Sequence, residues 1–262
     1  MKDPRIDKLA EILVGHSCDH HPGETVLIEP FDLPDPALVC KLIELAAARG
    51  AHPFVAWKSN TVLRSLYKHG SEANLGLQGQ FEAQQMSKMQ AYIGIRGAAN
   101  SSQMSDVPHE KLDLYQKLWW DPVHSRIRVP KTKWVVLRYP THSMAQSANM
   151  STEAFEDFYF SVCTADYAQK AKDQEPLVAR MAATDRVRIV SPGTDLEFSI
   201  RGMSIRPCHG QRNIPDGECF TAPHRESANG VIRYNTQSLY QGTVFDGIEF
   251  ALKDGKIVRA TC

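Results

Sequence analysis

Four groups of residues in this 262-residue chain combine side-chain types that could do chemistry. Cys18-Asp19-His20-His21 brings together a thiol, a carboxyl and two imidazoles, all good zinc ligands. Adjacent residues leaving a helix seldom converge on one ion, however, and this run falls where a surface turn is needed, so its expected role is structural. Cys208-His209 with Cys219 and His224 forms a looser group whose spacing matches no zinc knuckle. Gly94-Ile95-Arg96-Gly97 follows a strand-like run but lacks the glycine spacing of a dinucleotide fingerprint and the acidic residue that should come after it. No GxSxG elbow, HExxH pair or GxxxxGK[ST] phosphate loop occurs. The fourth group is Asn213-Ile-Pro-Asp-Gly-Glu-Cys-Phe-Thr-Ala-Pro223, where a Pro-Asp-Gly turn delivers one carboxylate, Glu218, at the start of a short strand. A turn running straight into a strand holds its first side chain rigidly, as a metal ligand or general base requires. Taken alone, a glutamate at a strand start is ordinarily a solvated edge residue.

The elements that must position these residues fall into two kinds. Ile6, Leu9, Ile12 and Leu13 form a helical stripe over residues 5–14. A turn at His21-Pro22-Gly23-Glu24 leads into a strand, Thr25 to Ile28, bounded by Pro30. Asp35-Pro36 opens an Ala- and Leu-rich helix that stops at Gly50. Strands follow at His52–Trp57, Ala91–Ile95 and Lys133–Leu137, separated by helical stretches, the last of them ending near His124. Strands spaced by helices of this length imply parallel pairing with helices on both faces. Residues 151–182 read as helical, with Ser151 as the cap. From Asp185 onward the runs are short and strand-like: 187–190, 196–200, 231–234 and 244–252, divided by turns at Pro192-Gly193, Pro215-Asp216-Gly217 and Lys253-Asp254-Gly255-Lys256. The expected fold class is therefore α/β: an open, mostly parallel sheet with flanking helices over 1–182, then a β-rich domain over 183–262.

Composition narrows the function classes. Thirty Lys and Arg balance thirty Asp and Glu, and no basic block stands out, which argues against nucleic acid as a partner. The longest apolar runs, such as Trp134–Leu137, are far shorter than the ~20 residues that cross a bilayer, so no membrane partner is expected. No apolar stretch of the signal-peptide kind follows Met1–Arg5. The six cysteines include no CxxC pair, and in a chain of this size they read as reduced thiols in a cytoplasm.

The Asn213–Pro223 segment resembles the motif around the first metal-binding glutamate of the M29 (thermophilic aminopeptidase) family. The resemblance is ordered along the chain: Tyr139-Pro140-Thr141, Ala145-Gln146, Phe155-Glu-Asp-Phe158 and Pro192-Gly-Thr-Asp-Leu196 upstream, and Ser227–Ile232, Tyr240-Gln241-Gly242 and Lys253–Val258 downstream. It implies a metal-dependent aminopeptidase, homodimeric, that removes N-terminal residues from peptides. Glu218 would then be a metal-ligating carboxylate. Two divalent ions, zinc, cobalt or manganese, would activate a water and polarise the scissile carbonyl. The family's further ligands, and its catalytic residues, are expected beyond the equivalent of Cys262, so the chain by itself is expected to be inactive, with apolar surface exposed on its β-rich half. Two alternatives stand beside this reading. One is a mononuclear-iron ring-cleaving dioxygenase, a chemistry found among relatives of similar fold. The other is a non-catalytic binding or dimerisation protein that kept the fold and lost the site.

Overall fold

The structure, a computed structural model, describes residues 3–240 and 243–262. Met1 and Lys2, and the Gln241-Gly242 part of the family-like segment, lie outside the described residues. In chain order the elements are α1 (Pro4–Ile12), β1 (Thr25–Phe31), α2 (Ala37–Ala48), β2 (His52–Val55), α3 (Asn60–His69), α4 (Glu72–Met86), β3 (Ala91–Arg96), α5 (His109–Tyr115), α6 (Val129–Lys131), β4 (Lys133–Arg138), α7 (His142–Ser147), α8 (Thr152–Cys163), α9 (Tyr167–Ala182), β5 (Arg186–Ser191), β6 (Thr194–Ser199), β7 (Arg206–Pro207), β8 (Asn213–Ile214), β9 (Cys219–Phe220), β10 (Asn229–Arg233), β11 (Ser238–Tyr240), β12 (Thr243–Phe245), β13 (Glu249–Lys253) and β14 (Lys256–Thr261). Wide-turned π-helical segments cover Leu13–Ser17 and Gln116–Arg128.

By contacts the chain divides into two compact units, residues 1–167 with 210–216, and residues 168–209 with 217–262. The first unit holds a parallel five-stranded sheet of order β2-β1-β3-β4-β8. Both faces of β1 and β3 are covered, so their residues are buried almost without alternation, as expected for a parallel sheet flanked by helices. Leu9, Leu13, Ile28, Leu38, Leu42 and Ile93 build the core on one side. Leu27, Tyr67, Leu75, Met86, Tyr92 and Trp119 build it on the other. Asp3 caps α1 by accepting from the Arg5 N–H at 2.9 Å, and Asp35 Oδ1 accepts from the Ala37 N–H at 2.6 Å where α2 begins.

Pro30 does not bound β1 as the sequence suggests; the strand runs on to Phe31. The physical reason lies in the neighbouring strand. The Ile28 and Pro30 carbonyls accept from Ala56 and Lys58, and the Asp32 N–H donates to Lys58. The N–H that proline lacks would face the Ala56 carbonyl, so one bond is missing on that side. Phe31 still pairs with Lys58 in unbroken register and with Arg96 of β3 on the other side, which carries the strand on.

Close packing in this unit gives a prediction with its own control. Gly76 and Gly79 both lie in α4. A Cβ on Gly79 would strike the Leu118 carbonyl oxygen and come within 2.8 Å of Trp119 Cα, whereas one on Gly76 meets nothing within 4 Å. Helix propensity favours alanine at both positions by about 1 kcal/mol. Backbone collision outweighs it at Gly79, where overpacking costs about 1–3 kcal/mol. Urea unfolding is expected to show Gly76→Ala stabilised and Gly79→Ala destabilised. Equal shifts in the two variants would contradict the close approach.

The second unit is built on an antiparallel sheet of order β14-β13-β10-β6-β5. Pro192-Gly193 joins β5 to β6, with Gly193 at φ +76°, and Asp254-Gly255 joins β13 to β14 with φ of +48° and +74°. Positive φ at both central residues, as at Asp254-Gly255, is what a type I′ two-residue hairpin loop demands. The single run expected over 244–252 is instead two strands, because Asp246-Gly247 turns the chain between β12 and β13, with Gly247 at φ +62°. Helix 151–182 is likewise two helices, interrupted between Cys163 and Tyr167. Val190, Ile257 and Val258 are exposed on the edge strands β5 and β14.

Candidate functional site

Glu218 sits immediately before β9, which pairs antiparallel with β7. Its main chain is held from two directions. The Glu218 carbonyl accepts from the Cys208 N–H at 2.8 Å and from Gln174 Nε2 at 2.9 Å. Gln174, buried on α9, also donates to the Cys208 carbonyl at 2.9 Å, so one amide ties both strands. The Glu218 side chain is exposed. Upstream, Asp216 is committed locally: Oδ2 accepts from the Gly210 N–H at 2.7 Å, closing the loop that carries β8, and Ile214-Pro215 is a cis peptide. The sequence thus fixes the backbone at position 218 and leaves its carboxylate available.

That is one positioned carboxylate, and a metal site needs several. Among the described residues, no group of three or more His, Cys, Asp or Glu side chains converges where an ion could be held.

The Cys18–His21 group and His224 have structural roles or settings of their own. Cys18 is buried with Sγ 3.7 Å from the Tyr92 carbonyl, and burial pushes its thiol up to about 12. His20 is buried too, and neither ring nitrogen has a hydrogen-bond partner among the described residues. Asp19 and His21 point outward, with His21 Nε2 3.5 Å from Asp19 Oδ2. The four neighbours thus face two ways. His224 is spent on fixing its own loop: Nε2 lies 2.7 Å from the Arg201 carbonyl, and its N–H donates to Ser199 at 2.8 Å.

Sequence reasoning did not single out Glu29, Lys58 and Arg128, which form a buried charged cluster in the first unit. Glu29, in β1, is 3% exposed. Its carboxylate accepts from Lys58 Nζ at 2.8 Å, from the Tyr92 hydroxyl at 2.5 Å and from Arg128 Nη2 at 3.5 Å. Lys58 also pairs with Glu82 at 2.6 Å. Burial raises the Glu29 carboxyl, but the Lys58 and Arg128 charges outweigh it and hold the group below its ordinary range. The guanidinium of Arg96, at the end of β3, lies 3.8 Å over the Phe31 ring, and that of Arg128 lies 3.8 Å over Tyr92. One signal was present in the sequence: Glu29, Lys58 and Arg96 each stand at or just past the same end of an apolar strand run.

A parallel α/β sheet in one unit and an antiparallel sheet in the other make a two-part α/β fold. The structure superposes on wild-type AmpT from Thermus thermophilus with a TM-score of 0.80, at 21% identity, covering 98% of this chain and 71% of that one. The sequence matches the peptidase M29 family, thermophilic metalloproteases, over residues 2–262, and the chain belongs to that family. It is 24% identical to Aminopeptidase 2 of Geobacillus stearothermophilus, covering 98% of this chain and 69% of the relative. It is 23% identical to Aminopeptidase PepS of Streptococcus thermophilus, covering 98% and 70%. A 2,5-dihydroxypyridine dioxygenase from Pseudomonas putida KT2440 shares the fold at a TM-score of 0.54 and 10% identity, covering 100% of this chain and 69% of that one. No helix among the described residues is long and apolar enough to cross a membrane.

Proposed function

We propose that this chain is the α/β part and the opening of the metal-binding part, residues 183–262, of a metal-dependent aminopeptidase. In this reading peptides are the substrates, a homodimer is the working form and the cytoplasm is its compartment. Glu218 is one carboxylate ligand of a pair of zinc, cobalt or manganese ions. The observation that carries the proposal is the family match over residues 2–262, which spans the segment whose clamped main chain presents Glu218. The remaining ligands are not gathered among the described residues, so the 262 residues on their own are proposed to be inactive. That same observation favours the second reading, a non-catalytic binding protein on this fold. The dioxygenase likeness rests on fold alone and favours neither.

The purified chain is expected to release no leucine from a chromogenic leucine amide above the metal-only background, with zinc, cobalt or manganese added. A metal-dependent rate would overturn the proposed inactivity. A chimera that continues this chain with the remaining third of Aminopeptidase 2 tests the peptidase reading itself. It is expected to release leucine, and Glu218→Gln in the chimera is expected to lower kcat/KM by about 100-fold or more, the scale for losing an anchored charge that serves the transition state. A folded chimera without activity, or one indifferent to Glu218→Gln, would remove the assignment.

A further inference from the structure

We propose that the crevice at the carboxyl ends of β1 and β3 binds a small organic carboxylate with an apolar or aromatic body. Its position is the first argument. In the order β2-β1-β3-β4 the chain leaves β1 for one neighbour and later returns to pair β3 on the other side, so the strand order reverses between β1 and β3. Open α/β sheets bind small ligands outside the carboxyl ends of the strands at such a switch point. Here a cavity of about 290 Å³ occupies that place.

The lining supplies the chemistry. Lys58, Arg96 and Arg128 contribute three positive charges against two carboxylates, Glu29 and Glu82, which leaves one positive charge in excess. The carboxylates are taken: Glu29 by Lys58 and Arg128, Glu82 by Lys58. Among the described residues no carboxylate lies within ion-pair distance of Arg96, whose Nη2 reaches only the Tyr92 hydroxyl at 3.4 Å. Arg96 Nη1 and Arg128 Nε are buried donors with no acceptor among the described residues, and Arg128 is only 7% exposed. Buried donors of charged groups ordinarily find acceptors. His124 adds no charge near neutral pH, because burial and then the charges of Arg128 and Arg96 push its imidazole down. One excess positive charge calls for a monoanion, and a guanidinium recognises a carboxylate through paired N–H donors.

The rest of the wall is apolar. Leu63, Met104, Tyr115 and Trp119 line the same cavity, with the Trp119 ring centre 5.7 Å from Lys58 Nζ. A few convergent polar groups set in an apolar wall are what a small-molecule site requires. A bare inorganic anion would leave that wall in contact with water, whereas an apolar body covers it. None of these residues belongs to the segment that carries Glu218, so the inference does not depend on the metal reading.

The test uses the full chain and 3-phenylpropionate as the probe, with Trp119 and Trp120 fluorescence and titration calorimetry as readouts. Saturable binding is expected. The neutral isostere 3-phenylpropanamide and the Arg96→Gln variant are each expected to weaken it by about tenfold or more, as loss of a charge-assisted contact does. Inorganic phosphate is expected not to compete. Circular dichroism checks that Arg96→Gln is folded; if it is not, the propionate–amide comparison on the unaltered chain decides. Equal affinity for the amide, undiminished binding by folded Arg96→Gln, effective competition by phosphate, or no saturable signal up to ~10 mM probe would each overturn the proposal.

Discussion

Glu29→Gln is expected to destabilise the parallel-sheet unit by about 3–5 kcal/mol, the cost of breaking a buried ion pair by removing one partner. The amide is nearly isosteric, so the loss is electrostatic and not a cavity. Lys58 and Arg128 would remain buried without the carboxylate at 2.8 and 3.5 Å that now faces them, and the Tyr92 hydroxyl would lose an anionic acceptor at 2.5 Å. Lys58 keeps Glu82, which limits the damage on its side, but Arg128 has no second carboxylate among the described residues. Urea unfolding near neutral pH measures the effect. A quadruple replacement, Glu29→Leu with Lys58→Met, Arg128→Leu and Glu82→Gln, is expected to recover most of the loss, because exchanging a buried charge cluster for uncharged volume, with Glu82 not left unpaired, is often neutral or better. A Glu29→Gln loss below ~1 kcal/mol would mean that water already screens the cluster. That variant would also abolish the proposed carboxylate pocket, which separates what these charges do for the fold from what they do for a ligand.

What the sequence could reveal follows the range of the forces involved. The β1, β3 and β4 strands and the first helices were legible because apolar periodicity, Asp35 at a helix start and Gly50 at a helix end are local signals. The β5–β6 and β13–β14 hairpins were legible through Pro192-Gly193 and Asp254-Gly255, whose backbone preferences are equally local. Pro30 misled because the single bond it removes is outweighed by the pairing of Phe31 with Arg96 and Lys58, a long-range fact. Strand order and the pairing of β8 with β4 are long-range facts with no local signature. The site divides along the same line. Glu218 stood out through its turn and its family-like setting. The buried Glu29 cluster draws on β1, β3, the end of β2, α4 and the Gln116–Arg128 segment, and only the sheet brings those together.

Acidification from pH ~6.5 to ~4.5 is expected to cost the protein about 2–3 kcal/mol through His20 alone. His20 is 3% exposed, and its imidazole is pushed down to about 4, first by burial and then by the Lys133 ammonium. Lys133 is fixed there by Glu24 at 2.7 Å and by the Asp19 carbonyl at 2.7 Å. The sign follows from the two protonation states. An unfolded chain binds a proton at His20 as pH falls below the ordinary imidazole value of 6.5, while the folded chain does not until about 4. Unfolding therefore takes up a proton across that window, and stability present above pH ~6.5 is lost as pH falls. Glu24 and Glu29, both held below the ordinary carboxyl value of 4.5, act the same way only at lower pH. His124, depressed by burial and by Arg128 and Arg96, adds to the loss in the same window. The diagnostic comparison is therefore His20→Met against the unaltered chain, by urea unfolding at each pH. The variant is expected to show a profile flatter by the His20 share; parallel profiles would mean that the imidazole is protonated inside the fold, with an acceptor at Nδ1 or Nε2.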